Sequence, residues 1–220
     1  MTRLKLVIFD VDGTLVDSQA HIKGAMAAAF AEQGLPAPHD MLGIVGLSLP
    51  EAMARLAPQL DDPTRATMVA TYKQAFHDLR AADLPSPLYP GARAALDALR
   101  ARDEVLLGLA TGKSRKGLDH VIEAHDLGRY FVTQQVADHH PSKPHPSMVL
   151  TALAETGVEP GDAVVIGDTS FDMDMARAAG VTGIGVSWGY HPRPALAAAA
   201  RVLDRFDDLL PTLDELWRNT

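Results

Sequence analysis

The chain of 220 residues contains no cysteine. Disulfide bonds, thiolate nucleophiles and cysteine-based zinc or iron–sulfur sites are therefore excluded. The absence agrees with a reducing compartment, and we expect a cytoplasmic protein. Apolar residues make up 47% of the chain, which is enough for a full-sized core without covalent cross-links.

Positive charge is also scarce. The chain has 20 lysine and arginine residues against 28 acidic residues, and its formal net charge is −8. A broad basic surface for nucleic acid is therefore not expected. A small anionic substrate is still compatible with this balance, because a few local cations or a bound metal reverse the sign of the charge inside a cleft.

Long apolar runs are missing as well. The apolar stretch near the N-terminus ends at Asp10, and the run from Ala195 to Ala200 ends at Arg201. Both runs are too short to span a bilayer, and the first is too short for the apolar region of a signal peptide. We therefore expect no membrane association. For the oligomeric state we expect either a monomer or a homodimer.

Short apolar runs alternate with amphipathic segments along most of the chain. Runs that are apolar throughout and lie between helical patterns are typical of parallel strands covered on both faces. The runs that predict strands are Leu4–Phe9, Val105–Ala110, Tyr130–Gln134, Ala163–Gly167, Val181–Trp188 and Arg201–Leu203. The segments that predict helices are Gly91–Arg102, Ser114–His125, Pro146–Thr156, Ser170–Ala179, Pro194–Ala199 and Phe206–Trp217. The predicted fold class is therefore α/β, with a Rossmann-like, mostly parallel sheet.

The gap between the first two strands is about 95 residues, far longer than a single crossover requires. Its pattern predicts helices at Asp17–Gly34, Ser48–Leu56 and Pro63–Ala82, followed by a proline-rich linker at Asp83–Gly91. We therefore expect an α/β core of residues 1–14 and 88–220 that carries a helical insert of residues 15–87.

Polar residues follow three of the predicted strands at their carboxyl ends, where ligands bind in open parallel sheets. They are Asp10 and Asp12 after the first strand, Thr111, Gly112 and Lys113 after the second, and Asp168 and Asp172 after the fourth. Lys143 precedes the helix that leads to the fourth strand. Carboxylates on one rim repel one another, and a hard divalent cation such as Mg²⁺ relieves this repulsion by binding their oxygens. The sequence therefore predicts a combined metal and phosphate site.

These residue types suit phosphoryl transfer. A carboxylate such as Asp10 can attack phosphorus and form an aspartyl phosphate. Asp12 can protonate the leaving oxygen and then accept a proton from water. Thr111 can donate its hydroxyl, and Lys143 can neutralise the phosphoryl oxygens as their charge shifts.

The strand-end motifs also resemble a known family. They are Asp10-Val11-Asp12-Gly13-Thr14, Thr111, Lys143 within Ser-Lys-Pro, and Gly167-Asp168-Thr169 with Asp172. On these residues the chain resembles the haloacid dehalogenase superfamily of phosphohydrolases, in the branch of phosphoglycolate phosphatases and β-phosphoglucomutases. The resemblance implies Asp10 as nucleophile, Asp12 as general acid and base, and Thr111, Gly112 and Lys143 as substrate-binding residues. It also implies Mg²⁺ held by Asp10, Asp168 and the backbone carbonyl of Asp12, with Asp172 on or beside the metal.

The same branch has a helical cap at the position of the insert, with hinges expected here at Leu15–Ser18 and Asp83–Tyr89. Its specificity loop falls on Gly43–Leu49, so Gly46 and Ser48 are candidate specificity residues by resemblance.

Lys73 is a further candidate for substrate specificity. It shares one helix face with His77 and Arg80, at positions i, i+4 and i+7. For this face we favour a solvated charged surface over contact with the substrate.

Simpler structural interpretations exist for several of these residues. Thr169 to Asp172 fits a helix capping box, which is compatible with a metal role for Asp172. Thr111 fits a cap for the helix that starts near Ser114. His139, His140 and His145 flank Lys143, and we favour an exposed polar loop over a transition-metal site.

The function expected from all these features is a Mg²⁺-dependent phosphatase acting on a small phosphorylated metabolite, with 2-phosphoglycolate as the first candidate. The alternatives are a phosphosugar mutase of the same superfamily and a non-catalytic phosphate-binding or interaction protein.

Overall fold

The computed structural model of the protein describes residues 3–82 and 85–218. The described residues form a six-stranded parallel sheet with strand order β3-β2-β1-β4-β5-β6. The strands are β1 (Lys5–Phe9), β2 (Val105–Thr111), β3 (Thr133–Val136), β4 (Ala163–Gly167), β5 (Thr182–Val186) and β6 (Arg201–Leu203). The strand order reverses between β1 and β4, and such a switch point opens a crevice for ligands at the carboxyl ends of the strands.

Helices cover both faces of the sheet, which confirms the predicted α/β class. Three of them, α1 (Gln19–Glu32), α2 (Leu49–Leu56) and α3 (Asp62–Ala82), lie between β1 and β2. The others are α4 (Ala92–Arg100), α5 (Arg115–Ala124), α6 (Ser147–Thr156), α7 (Ser170–Ala178) and α8 (Leu209–Arg218). Over residues 3–82 and 85–218, none of these helices combines the length and the apolar character needed to cross a bilayer.

The position of β1 in the middle of the sheet explains why its sequence is apolar throughout. Val7 and Phe9 pack into the core on one face of the sheet, whereas Leu6 and Ile8 pack into the core on the other. All four side chains are fully buried, because helices cover both faces. The chain therefore reaches Asp10 directly from the centre of the molecule.

Several predicted elements differ from the structure in their bounds, and two of these differences have a clear physical reason. The third strand was expected at Tyr130–Gln134, but pairing with β2 begins at Thr133. Tyr130 is buried in the core instead, where its hydroxyl donates to Asp97 Oδ1 at 2.5 Å. The helix expected at Pro194–Ala199 is only a 3₁₀ turn at Arg193–Leu196, because Ala200 N–H donates to Gly183 O and returns the chain to the sheet edge.

The helices between β1 and β2 have an apolar cluster of their own, which includes Met26, Phe30, Met53 and Met68. The chain enters and leaves this helical insert side by side. Asp17 N–H donates to Pro87 O, and Tyr89 N–H donates to Leu15 O, each at 2.9 Å.

Not all of the predicted hinges can be compared with the structure. The first one, Leu15–Ser18, lies at the entry to the insert. The second, Asp83–Tyr89, includes Asp83 and Leu84, which lie outside the described residues.

Candidate active site

A lysine lies buried between two carboxylates at the carboxyl edge of the sheet. Lys143 Nζ donates to Asp10 Oδ1 at 2.8 Å and to Asp172 Oδ1 at 2.6 Å. Asp10 directly follows β1, and Asp172 lies in the first turn of α7. All three residues are at most 1% exposed. A buried lysine in this position compensates part of the negative charge that the strand ends bring together.

A third carboxylate completes the group. Asp10, Asp168 and Asp172 each offer a carboxylate oxygen, and these three atoms lie within 4.8 Å of one another. Asp168 follows β4 and is held by Thr14 Oγ1, which donates to its Oδ1 at 3.0 Å, and by the Tyr190 backbone N–H at 2.8 Å. The structure thus brings together the acidic residues that the sequence placed at two separate strand ends.

Two local features fix these carboxylates. Gly13 has φ +84°, and a Cβ there would lie 2.2 Å from Asp168 Oδ2, so a side chain at this position would displace the carboxylate. Thr169 and Asp172 form the predicted capping box, with Thr169 Oγ1 donating to Asp172 Oδ2 at 2.6 Å. The same carboxylate also accepts from Lys143, so the cap and the site share Asp172.

The electrostatics of the group reflect its burial. Burial raises the pKa of Asp10 to about 7, with Lys143 opposing the rise and Asp172 and Asp12 adding to it. Burial also raises the pKa of Asp168 well above its usual value, and repulsion from Asp10 and Asp172 adds to the effect. Burial lowers the pKa of Lys143, but attraction to Asp10 and Asp172 outweighs it and leaves the pKa above its usual range.

The donor set fits a hard divalent cation. It consists of buried carboxylate oxygens, which are the ligands that Mg²⁺ prefers. Asp10 Oδ2 is a buried oxygen with no hydrogen-bond partner among the residues described by the structure. One lysine among three carboxylates also leaves an excess of negative charge for a cation to balance.

Asp12 lies in different surroundings from Asp10. Its Oδ1 accepts from Lys113 Nζ at 2.8 Å and from Ser18 Oγ at 2.5 Å, and its side chain is 13% exposed. Lys113 also lies over the Phe76 ring of α3, 5.0 Å from the centroid. The two aspartates of the motif therefore have different partners. Asp10 belongs to the buried acidic group, whereas Asp12 pairs with Lys113, which contacts the insert. That Asp12 offers its backbone carbonyl to a metal stays a prediction.

A cavity of about 490 Å³ lies between the helical insert and the carboxyl edge of the sheet. Several of the residues singled out from the sequence line it together. They are Asp10, Asp12, Thr111 and Gly112 from the core side and Gly46 and Lys73 from the insert. His77 and Arg80 line it as well. Lys73 and His77 are exposed and Arg80 is half-buried, so this face of α3 is solvated as expected and also borders the cavity.

Thr111 and Ser48 have contacts that the sequence did not indicate. Thr111 Oγ1 accepts from Lys113 N–H at 3.1 Å, which leaves its own hydrogen free to be donated. Ser114, not Thr111, caps α5 by accepting from Gly117 N–H. Ser48 precedes α2 without a side-chain cap, and its N–H donates to Ser142 Oγ at 2.9 Å, beside Lys143.

The histidines near Lys143 do not form a metal site. Within residues 3–82 and 85–218, the one group of at least three metal-ligating side chains is the aspartate cluster. His139 and His145 are exposed, as expected for a polar loop. His140 is partly buried instead, with its ring nitrogens 2.7 Å from Ser147 Oγ and 2.9 Å from Gln135 Oε1.

A loop after β5 connects the site to the insert, and no sequence pattern predicted this connection. Tyr190 binds Asp168 through its backbone, and its hydroxyl accepts from Ser18 N–H at 2.9 Å. His191 Nδ1 accepts from Ser170 N–H at 3.2 Å, and its Nε2 donates to Gly43 O at 3.1 Å. Most of these bonds involve backbone groups, which any residue type supplies, so residue identity alone does not predict them.

Replacement of Gly112 by alanine is expected to force the insert away from the core. A Cβ at this position would lie 2.6 Å from Leu47 O and 2.8 Å from Gly46 O, both backbone atoms of the insert loop. Because small displacements of a reacting group have large effects on rate, we expect kcat/KM for a phosphate ester to fall roughly 10- to 100-fold. Hydrogen exchange of residues 43–49 should accelerate at the same time. Gly161→Ala, where a Cβ meets nothing within 4 Å, is the control, and equal exchange in both variants would contradict the prediction.

Known proteins resemble this chain over most of its length. A model of the family described as haloacid dehalogenase-like hydrolase matches residues 7–186. The protein named "Probable phosphatase IndB" of Dickeya dadantii is 34% identical over 213 residues, which cover 93% of this chain and 91% of that protein. Phosphoglycolate phosphatase 1 of Pseudomonas aeruginosa is 34% identical over 228 residues, covering 97% and 82%. The crystal structure of a hydrolase from Pseudomonas syringae has a TM-score of 0.85 at 27% identity, covering 96% of this chain and 98% of that one. The chain belongs to the haloacid dehalogenase-like hydrolase family.

Proposed function

We propose that this protein is a Mg²⁺-dependent phosphatase that hydrolyses a small phosphate monoester through an aspartyl phosphate on Asp10. Family membership and relatives named phosphatases make it a phosphoric monoester hydrolase. The proposed mechanism rests on one observation, the surroundings of the Asp10 carboxylate. This buried carboxylate lines the cavity, binds Lys143 through Oδ1 and has no hydrogen-bond partner at Oδ2 within the described residues.

The two aspartates have different roles in the proposed reaction. Asp10 attacks phosphorus through a carboxylate oxygen, and the bond from phosphorus to the ester oxygen breaks. Asp12, held by Lys113 and Ser18, donates a proton to the departing oxygen. In the second step Asp12 takes a proton from water as the water oxygen attacks the aspartyl phosphate. This step releases phosphate and restores both carboxyl groups.

The acidic group would hold the metal. Asp10, Asp168 and Asp172 would supply side-chain oxygens, and Asp12 would supply its backbone carbonyl. When bound, Mg²⁺ supplies positive charge that stabilises the phosphoryl oxygens. Lys143 contributes a fixed cation beside Asp10 throughout the reaction, and Thr111 lines the cavity with a hydroxyl hydrogen available to a phosphoryl oxygen.

The helical insert, residues 15–87, is proposed to act as a cap over a core of residues 1–14 and 88–220. Contacts between Ser48 and Ser142 and between Gly43 and His191 support a closed arrangement. Closure excludes water while the phosphoryl group is transferred, and opening releases the product. 2-Phosphoglycolate is the first candidate substrate, because a relative with 34% identity is named phosphoglycolate phosphatase.

A panel of phosphate esters tests this function. The purified protein is incubated with each ester in Mg²⁺ or in EDTA, and released phosphate is measured. We expect Mg²⁺-dependent release, with 2-phosphoglycolate among the substrates. Conversion of a sugar phosphate that requires a bisphosphate activator and releases little phosphate would identify a mutase instead. No turnover of any ester, with phosphate still bound, would support the non-catalytic alternative.

Binding of Mg²⁺ is expected to release protons near neutral pH. Because the pKa of Asp10 is about 7, this group is protonated below neutrality in the metal-free protein, and burial raises the pKa of Asp168 as well. The metal needs them ionised, so its apparent affinity should rise with pH, by up to about tenfold per pH unit for each proton released, and level off above about pH 8. Calorimetry in two buffers with different ionisation enthalpies measures the protons released. Affinity that is independent of pH between 5.5 and 8 would contradict the prediction.

A further inference from the structure

The loop after β5 lies directly against Asp168. A Cβ at Gly189 would lie 2.1 Å from the Asp168 Cβ, so the loop approaches this closely because residue 189 has no side chain. The next residue, Tyr190, donates its backbone N–H to Asp168 Oδ2 at 2.8 Å. Trp188 Nε1 donates to Thr14 O at 3.1 Å, and Thr14 Oγ1 donates to Asp168 Oδ1 at 3.0 Å. The loop therefore binds one oxygen of this carboxylate directly and also binds the residue that holds the other oxygen.

The hydroxyl of Tyr190 binds the chain where it enters the helical insert. It accepts from Ser18 N–H at 2.9 Å. Ser18 directly precedes α1, is only 1% exposed, and donates its own hydroxyl to Asp12 Oδ1. One tyrosine thus contacts Asp168 through its backbone and the insert through its side chain.

The second crossing between the core and the insert lies beside the same hydroxyl. Burial raises the pKa of Tyr89, and the charges of Asp17 and Asp168 add to the rise. A hydrogen bond from the side chain of Tyr190 opposes this rise. Tyr89 N–H donates to Leu15 O, so the segments that enter and leave the insert are joined at this point. A rotation of the insert about these segments must therefore move or break its contacts with Tyr190.

We propose that Tyr190 is a positioning residue that ties the orientation of Asp168 to the position of the helical insert. This inference rests on the proposed function, in which Asp168 contributes an oxygen to the Mg²⁺ site. In the closed arrangement, Tyr190 is held at one end by Asp168 and at the other by Ser18. When the insert moves away, the loop loses its contact with Ser18, and Asp168 loses part of its fixed orientation. The full affinity for Mg²⁺ therefore coincides with the closed insert, in which Ser18 also holds Asp12.

Coupling between two sites is reciprocal, so a change at either end of Tyr190 should be measurable at the other end. Mg²⁺ bound at Asp168 should fix the loop and oppose opening of the insert, and closure of the insert should raise the affinity for Mg²⁺. Amide hydrogen exchange of Ser18 measures opening at the insert, because its N–H is released when the contact with Tyr190 breaks. Calorimetric titration with Mg²⁺ measures the affinity at the acidic group.

Tyr190→Phe separates the two ends, because it removes the hydroxyl and keeps the backbone N–H that binds Asp168. In the wild type we expect Mg²⁺ to slow exchange of the Ser18 amide at least about fivefold, the lower end of typical coupling between two sites. In the variant, the effect of Mg²⁺ on this exchange should fall below about twofold, and the affinity for Mg²⁺ should fall at least about fivefold. Saturating Mg²⁺ should restore most of the kcat for a phosphate ester, because the bound metal then orients Asp168.

Tyr130→Phe is the matched control, because it also removes a tyrosine hydroxyl with hydrogen-bond partners. The Tyr130 hydroxyl donates to Asp97 Oδ1 and accepts from Arg93, and none of these three residues lines the cavity. Thermal melts check that both variants fold. In Tyr130→Phe, the affinity for Mg²⁺ and the effect of Mg²⁺ on Ser18 exchange should match the wild type.

An effect of Mg²⁺ on Ser18 exchange that is absent in the wild type, or as large in Tyr190→Phe as in the wild type, would overturn the inference. Equal losses of Mg²⁺ affinity in Tyr190→Phe and Tyr130→Phe would also overturn it, because they would show a general loss of packing. Hydrolysis of phosphate esters is measured separately, so that the two proposals can fail independently. Coupling without turnover of any ester contradicts the phosphatase alone, and turnover with unchanged Mg²⁺ affinity in Tyr190→Phe contradicts the role of Tyr190 alone.

Discussion

Replacement of Asp10 by asparagine should reduce phosphate ester hydrolysis by at least about 10³-fold, since the variant loses the nucleophile to which the phosphoryl group is transferred. The amide keeps the shape of the side chain and an oxygen that accepts from Lys143, so the fold should be retained. The rate of phosphate release at saturating Mg²⁺ measures the effect. Trapping of phosphate on the wild-type protein, and its absence in Asp10→Asn, would establish the site of attack.

The same variant has an expected effect on stability that activity does not report. Burial raises the pKa of Asp10 above its unfolded value of 3.8, so its ionised form opposes folding above about pH 7 in the absence of metal. In EDTA at pH 8, Asp10→Asn should therefore unfold at a denaturant concentration at or above that of the wild type. Asp174→Asn, an exposed residue on α7 paired with Arg177, is the matched control for the chemical change. Retained activity in Asp10→Asn would show that another group is the nucleophile.

The acidic centre of the site was predictable because the fold brings strand ends together. A strand buried on both faces must be apolar throughout, so β1 is visible as a run that stops at Asp10. Parallel strands present their carboxyl ends at one edge, so Asp168 after β4 had to lie near Asp10. The position of Lys143 was less directly predictable, because this residue lies in a loop rather than at a strand end. Its positive charge complements Asp10 and Asp172, which it contacts.

The groups that position those carboxylates were not predictable. Tyr190 holds Asp168 through a backbone N–H, and His191 binds Gly43 through a backbone carbonyl. Backbone groups are the same in every residue, so these bonds arise from the path of the loop. Lys113 and Ser18 were visible in the sequence as polar residues, but their shared contact with Asp12 depends on where the chain enters the insert.

The basic face of α3 shows the limit of periodicity. The spacing of Lys73, His77 and Arg80 correctly places them on one side of a helix. Periodicity does not indicate what lies opposite, and most charged helix faces contact water. That these residues also border the cavity depends on how the insert lies over the core, which is a tertiary feature.

Replacement of Lys143 by methionine should have the largest effect on stability. Methionine fills a similar volume but leaves Asp10 and Asp172 without their buried cation. Removing one partner of a buried ion pair lowers the free energy of unfolding by about 3–5 kcal/mol, and we expect a loss of this size at pH 8.5 in EDTA. Activity should also fall sharply, because the phosphoryl oxygens lose a fixed positive charge.

The loss of stability in Lys143→Met should be larger at high pH than at low pH, because it depends on the ionisation of Asp10. Lys143 lowers the pKa of Asp10, so the variant's Asp10 should titrate above the wild-type value of about 7. A carboxyl whose folded pKa exceeds its unfolded pKa lowers stability as pH rises from the unfolded pKa to the folded pKa, so this cost stops growing near pH 7 in the wild type but continues to grow above pH 7 in the variant. Well below pH 7 Asp10 is protonated in both folded proteins, and the cost is the same in both. Urea unfolding should therefore show a smaller difference between Lys143→Met and wild type at pH 5.5 than at pH 8.5, whereas Lys23→Met should show no such dependence. An equal difference at both pH values would mean that packing, rather than uncompensated negative charge, accounts for the contribution of Lys143.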